Sequence, residues 1–128
     1  MRIVLRDPAV STGDLVRFTV AGGWAIATWE GENPHPAGVE VDVELDLPDE
    51  VDWNRIVVGP MDGRIVELRE SGLVLRGVVV DLDELGVLSL SVGTGVVMVD
   101  TLGEPPLGVV GQTVALPVDR LAVYPTGI

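Results

Sequence analysis

Cysteine and lysine are both missing from this chain, and three tryptophans, one tyrosine and one phenylalanine make up its aromatic residues. Without cysteine there is neither a disulfide framework nor a thiolate metal site, so nothing calls for an oxidising compartment. Positive charge is also scarce. Eight arginines face twenty acidic residues, for a formal net charge of −12. That balance opposes binding to nucleic-acid phosphates and to anionic lipid, and its natural complement is a cationic partner. Long apolar runs are lacking too. Ile3-Val4-Leu5 is too short for the core of a signal peptide, and no later segment reaches membrane-spanning length, which predicts a soluble cytoplasmic protein with no membrane partner.

What is abundant is valine, with 25 residues, and glycine, with 16. β-branched side chains lose rotamer freedom in helices and pack well on pleated surfaces, and no long run here carries a 3.6-residue period. An all-β chain follows, and 128 residues fit a single domain spanning 1–128 that can bury roughly two-thirds of its unfolded surface. The clearest stretch is Val39 to Leu47, in which apolar and acidic residues alternate without exception. Successive strand side chains point to opposite faces, so Val39, Val41, Val43, Leu45 and Leu47 share one side, with Glu40, Asp42, Glu44 and Asp46 on the other.

Residues 2–5 read as a short edge strand, then Leu15 to Val20 and Trp24 to Trp29 as two strands, or as one long strand broken at Ala21-Gly22-Gly23. The proline- and glycine-rich stretch 31–38 is a loop, and 48–54 is a second loop or one helical turn before a short strand from Arg55 to Val58. An Asp62-Gly63 turn leads to Arg64 to Arg69, a turn at Glu70-Ser71-Gly72 to Leu73 to Leu82, and further strands follow at 87–92, 96–100, 112–118 and 121–124. Val78-Val79-Val80 is apolar on both faces and belongs inside a sheet or at a corner, whereas Pro117 marks an edge. Eight or nine short strands without a helix predict a small antiparallel barrel, OB-like in part, with a two-sheet β-sandwich as the alternative.

Candidate chemistry is sparse. The row Glu40, Asp42, Glu44 and Asp46 places like charges about 7 Å apart, a repulsion that exposure or cross-strand arginines such as Arg17, Arg64, Arg69 or Arg76 would relieve. Together with Asp49, Glu50 and Asp52, and with Trp53 as an aromatic anchor beside them, this row is the predicted partner-binding face. Asp81, Asp83 and Glu84, or Asp49, Glu50 and Asp52, supply oxygens for a calcium ion but do not match the spacing of a helix-loop-helix site, and no metal or cofactor is predicted. His35, the single histidine, lies between two prolines and reads as a solvated loop residue. Val99-Asp100-Thr101-Leu102-Gly103 resembles the Asp-Thr-Gly turn of aspartic proteases except that a leucine separates threonine from glycine. Gly93-Thr94-Gly95 precedes no helix and is a hairpin rather than a phosphate loop. Ser11, Ser71, Ser89 and Ser91 have no histidine near them in sequence, so no catalytic residue is assigned.

Three functions fit these observations. The first is a non-enzymatic module whose acidic face binds a basic protein, for instance an immunity or antitoxin-type inhibitor. The second is a structural subunit that closes an apolar patch by self-association, and the third is a carboxylate- or metal-dependent enzyme.

Overall fold

A computed structural model describes residues 1–20, 23–59, 64–69 and 72–126. Residues 39–47 form the half-buried strand that their alternation predicts. The ladder runs over Glu40–Asp46, with Val41, Val43 and Leu45 buried, Leu47 buried just beyond, and the four carboxylates exposed. This strand, β4, is one stave of a closed five-stranded barrel. The others are β1 (Arg2–Leu5), β2 (Leu15–Val20), β3 (Gly23–Trp29) and β12 (Ala122–Pro125), joined in the path β1-β2-β3-β12-β4 and back to β1. Only β3 and β12 run parallel; the other neighbours are antiparallel. In chain order the barrel path is first, second, third, fifth and fourth strand, the OB-like part of the fold. Closure pairs β1 on both sides, with β2 and β4, so residues 2–5 are not the edge strand that a short N-terminal segment suggests.

Between the fourth and fifth barrel strands the chain builds a second sheet that curls into half a barrel. It contains β5 (Val51–Asp52), β6 (Val57–Val58), β7 (Val66–Arg69), β8 (Gly72–Leu82), β9 (Val87–Val92), β10 (Gly95–Leu102) and β11 (Thr113–Val118), in the order β5-β10-β9-β8-β11-β6 with β7 on β8. The eleven-residue β8 organises it. Its first part pairs with β7 and its second with β9 along the same side, and a register shift between Val79 and Asp81 bends it. β8 lies inside the sheet, as the apolar run Val78-Val79-Val80 suggests, but only Val79 is buried; Val78 and Val80 are 39% and 49% exposed on the other face. β11 is bonded to β8 over its length but to β6 only at Val114 and Ala115, so Pro117 meets no partner on that side among the described residues, where its missing N–H costs nothing.

Twelve strands are described where eight or nine were expected; the two-residue β5 is too short to carry a period. The stretch 53–55 is a single 3-10 turn, with the Asp52 side chain accepting from the Asn54 N–H, so the short strand begins at Val57 rather than Arg55. The expected Asp62-Gly63 turn and the breaks at Ala21-Gly22 and Glu70-Ser71 lie outside the described residues.

One apolar cluster runs through both sheets, from Ile3, Phe18 and Trp29 in the barrel to Leu75, Leu88, Leu90 and Leu116 in the inserted sheet. Contact across the junction is close. A methyl group on Gly23 at the start of β3 would lie 2.1 Å from the Val66 carbonyl oxygen of β7, so the two backbones meet where only glycine fits.

Candidate functional site

The outer face of β4 carries the acidic row, and the structure divides it. Arg2, directly opposite Asp42 in the β1–β4 ladder, donates from Nε and Nη2 to the two Asp42 carboxylate oxygens at 3.1 and 3.2 Å and stands 3.6 Å from Glu40. The Arg2 guanidinium therefore holds the Asp42 carboxyl below its ordinary range. The relief predicted for the row is real, but it comes from Arg2. Arg17 instead clamps Asp7, Arg76 and Arg69 both reach Glu67, and Arg64 offers its carbonyl to Arg76. Glu44 and Asp46 continue the row exposed, with no arginine partner among the described residues.

On the other side of β4 lies β12, and Tyr124 sits directly opposite Glu44. Residues opposite one another in an antiparallel ladder share a face, so the tyrosine, 45% exposed, stands among the carboxylates. Beyond it the chain leaving β3 completes a groove of about 610 Å3 lined by Glu30, Glu32, Pro34, Glu40, Asp42 and Tyr124, with Gly31, Asn33, His35, Val41 and Pro125 filling the wall. Gly31 lets that wall pack closely. A methyl there would come within 2.7 Å of both the Pro125 ring and the Trp29 indole nitrogen, and the Gly31 carbonyl is fixed by the Thr12 hydroxyl at 2.6 Å. The result is an aromatic ring in a concave, acid-lined surface, suited to a guanidinium or ammonium group.

The remaining predicted residues are elsewhere or otherwise engaged. Asp49 accepts two bonds from Arg120, which hold its carboxyl below the ordinary range. Glu50 is exposed, and Asp52 caps the turn at 53–55. Trp53 is not an exposed anchor. It is 6% exposed, and its indole N–H donates to the Thr101 hydroxyl at 3.1 Å, because β5 pairs with the end of β10 and folds the ring under it. Tyr124, Glu30 and Glu32 are the residues of this candidate site that sequence reasoning missed. Tyr124 was placed in a C-terminal strand, but nothing in the sequence announces that this strand returns to β4.

The minor candidates resolve into structural roles. Thr101 continues β10 instead of opening a protease-like turn, and its hydroxyl donates to the Gly86 carbonyl at 2.6 Å. One Asp83 oxygen accepts the Leu85 and Val87 N–H groups at 2.9 Å each, tying a tight turn. No group of three or more carboxylate or histidine side chains converges as metal ligands among the described residues. His35 is half-buried rather than solvated, bridging Ala9 through its backbone and meeting the Trp29 ring edge-on at 5.1 Å. No helix of the described residues is long and apolar enough to cross a membrane. Compared with known proteins, the chain matches no family model, no curated protein and no solved structure.

Proposed function

We propose that this protein is a non-enzymatic, cytoplasmic binding module that captures a basic protein, with an arginine or lysine side chain of the partner seated against Tyr124. The observation that carries this reading is Tyr124 directly opposite Glu44 at the mouth of a groove lined by Glu30, Glu32, Glu40 and Asp42. Cation–aromatic contact contributes about 0.5–2 kcal/mol, depending on desolvation, and the surrounding carboxylates raise the encounter rate with a cationic surface. An immunity or antitoxin-type inhibitor of a cationic toxin is one form such a module takes. Asp42 does not suit a general-acid role in the carboxylate-enzyme alternative. A general acid must stay protonated near neutral pH, whereas Arg2 shifts this group the other way.

The test is affinity capture from the native source at low salt, followed by kinetics with the recovered protein. A basic partner whose association slows steeply with salt, and whose affinity falls about tenfold or more in Tyr124→Ala, supports the reading. A partner that binds Tyr124→Ala and Glu44→Gln/Asp46→Asn as tightly as the unmodified protein, or one whose association ignores salt, sinks it.

Self-association is favoured by a separate observation. Val57, Val78, Val96 and Met98 are exposed on strands of the inserted sheet, and the ladder places Val96, Ser91, Val78 and Thr113 in one cross-strand row without a charge. A second copy covering that row would appear as a dimer in sedimentation that Met98→Asp dissociates.

A further inference from the structure

Around the barrel from the acidic groove, on the outer face of β1, β2 and β3, lies an open cleft of about 730 Å3 lined by Arg2, Val4, Arg6, Arg17, Thr19 and Trp24, with Glu40 at one end. Three of the eight arginines of a strongly acidic protein meet here. The ladders define the cleft's geometry. Glu40, Val4, Thr19 and Trp24 form one cross-strand row, with Val4 and Thr19 as a half-buried floor. Arg2 stands on one side of this row. On the other, Arg6 and Arg17 are adjacent, the Arg6 N–H donating to the Arg17 carbonyl at 2.8 Å.

We propose that this cleft binds a small organic anion carrying a flat ring, with the ring on Trp24 and the anionic group on Arg6 and Arg17. Trp24 is 42% exposed, whereas the other two tryptophans are buried, so its indole face is the aromatic surface this ligand finds. Arg6 has no carboxylate within ion-pair distance among the described residues. Arg17 is held in place, its Nε and Nη2 donating to Asp7 at 2.9 and 2.8 Å, which leaves Nη1 outside that clamp. Arg2 is fixed in the same manner by Asp42. Two pre-positioned guanidinium groups and one uncommitted one therefore surround the floor, and little side-chain entropy is lost in using the first two.

Charge sets the size of the anion. Arg2, Arg6 and Arg17 are offset by Asp42, Glu40 and Asp7, so the cleft attracts through aimed N–H donors rather than through a positive field. A ligand with one anionic group suits it. A polyanion would extend past the cleft and lie directly against a surface of net negative charge, whereas a small anion held on the arginines meets that surface only at distances where salt screens it, beyond about 8 Å at physiological ionic strength. Arg6 and Trp24 are two strands and two residues apart, about 12 Å between Cα atoms. With an arginine side chain reaching inward, the remaining gap matches the span from ring to phosphate in a mononucleotide, and the cleft volume is in the range of small-molecule sites.

The probes are adenosine monophosphate, adenosine and inorganic phosphate, titrated calorimetrically into the intact chain, with tryptophan fluorescence, assigned to Trp24 by its loss in Trp24→Phe, as a second readout. We expect saturable binding of adenosine monophosphate, with adenosine and phosphate each about tenfold weaker or more. Arg6→Ala should bring adenosine monophosphate down to the affinity of adenosine, and Trp24→Ala down to that of phosphate, with Trp24→Phe recovering part of the loss. Arg6 is exposed, so Arg6→Ala should melt with the unmodified protein. Trp24 is more than half covered, so Trp24→Ala should melt somewhat lower but cooperatively, and Trp24→Phe, which keeps most of the packing, carries the comparison. No saturation at millimolar adenosine monophosphate, unchanged affinity in both variants, or tighter binding of a single-stranded oligonucleotide than of the mononucleotide would each overturn the proposal.

Discussion

Gly23→Ala adds one methyl group where β3 passes β7, and the structure makes its cost calculable. The new carbon would sit 2.1 Å from the Val66 carbonyl oxygen, and contacts under 3.0 Å are essentially never tolerated. The two sheets would have to separate by about 1 Å, since the obstacle is backbone and has no rotamer to escape into. Overpacking of a well-filled interior costs about 1–3 kcal/mol, here at the upper end. Alanine recovers about 0.4–1 kcal/mol through a less flexible unfolded chain, which leaves a net loss of about 2 kcal/mol. For a domain of this size that is a fall in Tm of roughly 6–10 °C, read by circular dichroism. Gly95→Ala is the matched control, because its nearest neighbour would be 3.8 Å away, and it should leave Tm unchanged or slightly raised. Equal melting of Gly23→Ala and Gly95→Ala would refute the close backbone approach and with it the described junction between barrel and inserted sheet.

Acid should destabilise the fold in a defined window. Asp7, hydrogen-bonded by the Arg17 side chain and then by its N–H, is lowered to about 2, so its contribution is complete above the ordinary carboxylate range and is lost as pH falls toward that value. Asp7→Asn should flatten the Tm-against-pH curve between about pH 4 and 2. Phe18→Ala, at a fully buried position, should cost about 3–5 kcal/mol in urea or thermal unfolding. Trp29→Phe should cost much less than such truncations, because the buried Trp29 Nε1 has no acceptor among the described residues and removing an unsatisfied donor returns about 1–3 kcal/mol. Arg2→Ala should tighten binding of an arginine-rich peptide by about threefold to tenfold, since it frees Asp42 and Glu40 for the ligand. Weaker binding would show that Arg2 positions the groove rather than competing for it.

The strands were legible wherever one face is wet and the other dry. The alternation in 39–47, the hairpin at Gly93-Thr94-Gly95 and the edge position of Pro117 all follow from local chemistry. Pairing was not legible. The closure of β1 onto β4, the parallel contact of β12 with β3 and the choice of Arg2 as partner for Asp42 depend on chain segments about forty or more residues apart, which no local period encodes. Trp53 shows the same limit at one residue. Its acidic neighbours in sequence suggested exposure, but β5 joins the end of β10 and folds the ring beneath Thr101.

The placement of the inserted sheet bears on how the acidic groove is made. Glu44 belongs to the fourth barrel strand and Tyr124 to the fifth, and the whole of β5 to β11 intervenes between them. The aromatic and the carboxylate therefore become neighbours only when β12 pairs with β4 across that insertion. Glu30 and Glu32 belong to the same condition, because Glu30 meets β12 through its N–H bond to the Val123 carbonyl at 2.9 Å. A partner seated on Tyr124, as proposed, would bridge β12, β4 and the loop after β3 at once, and its binding energy would oppose release of β12 from the barrel. Arg2 and Glu40, at the seam between β1 and β4, border the arginine-lined cleft as well. Both grooves therefore depend on barrel closure, the long-range step that the sequence alone left unread.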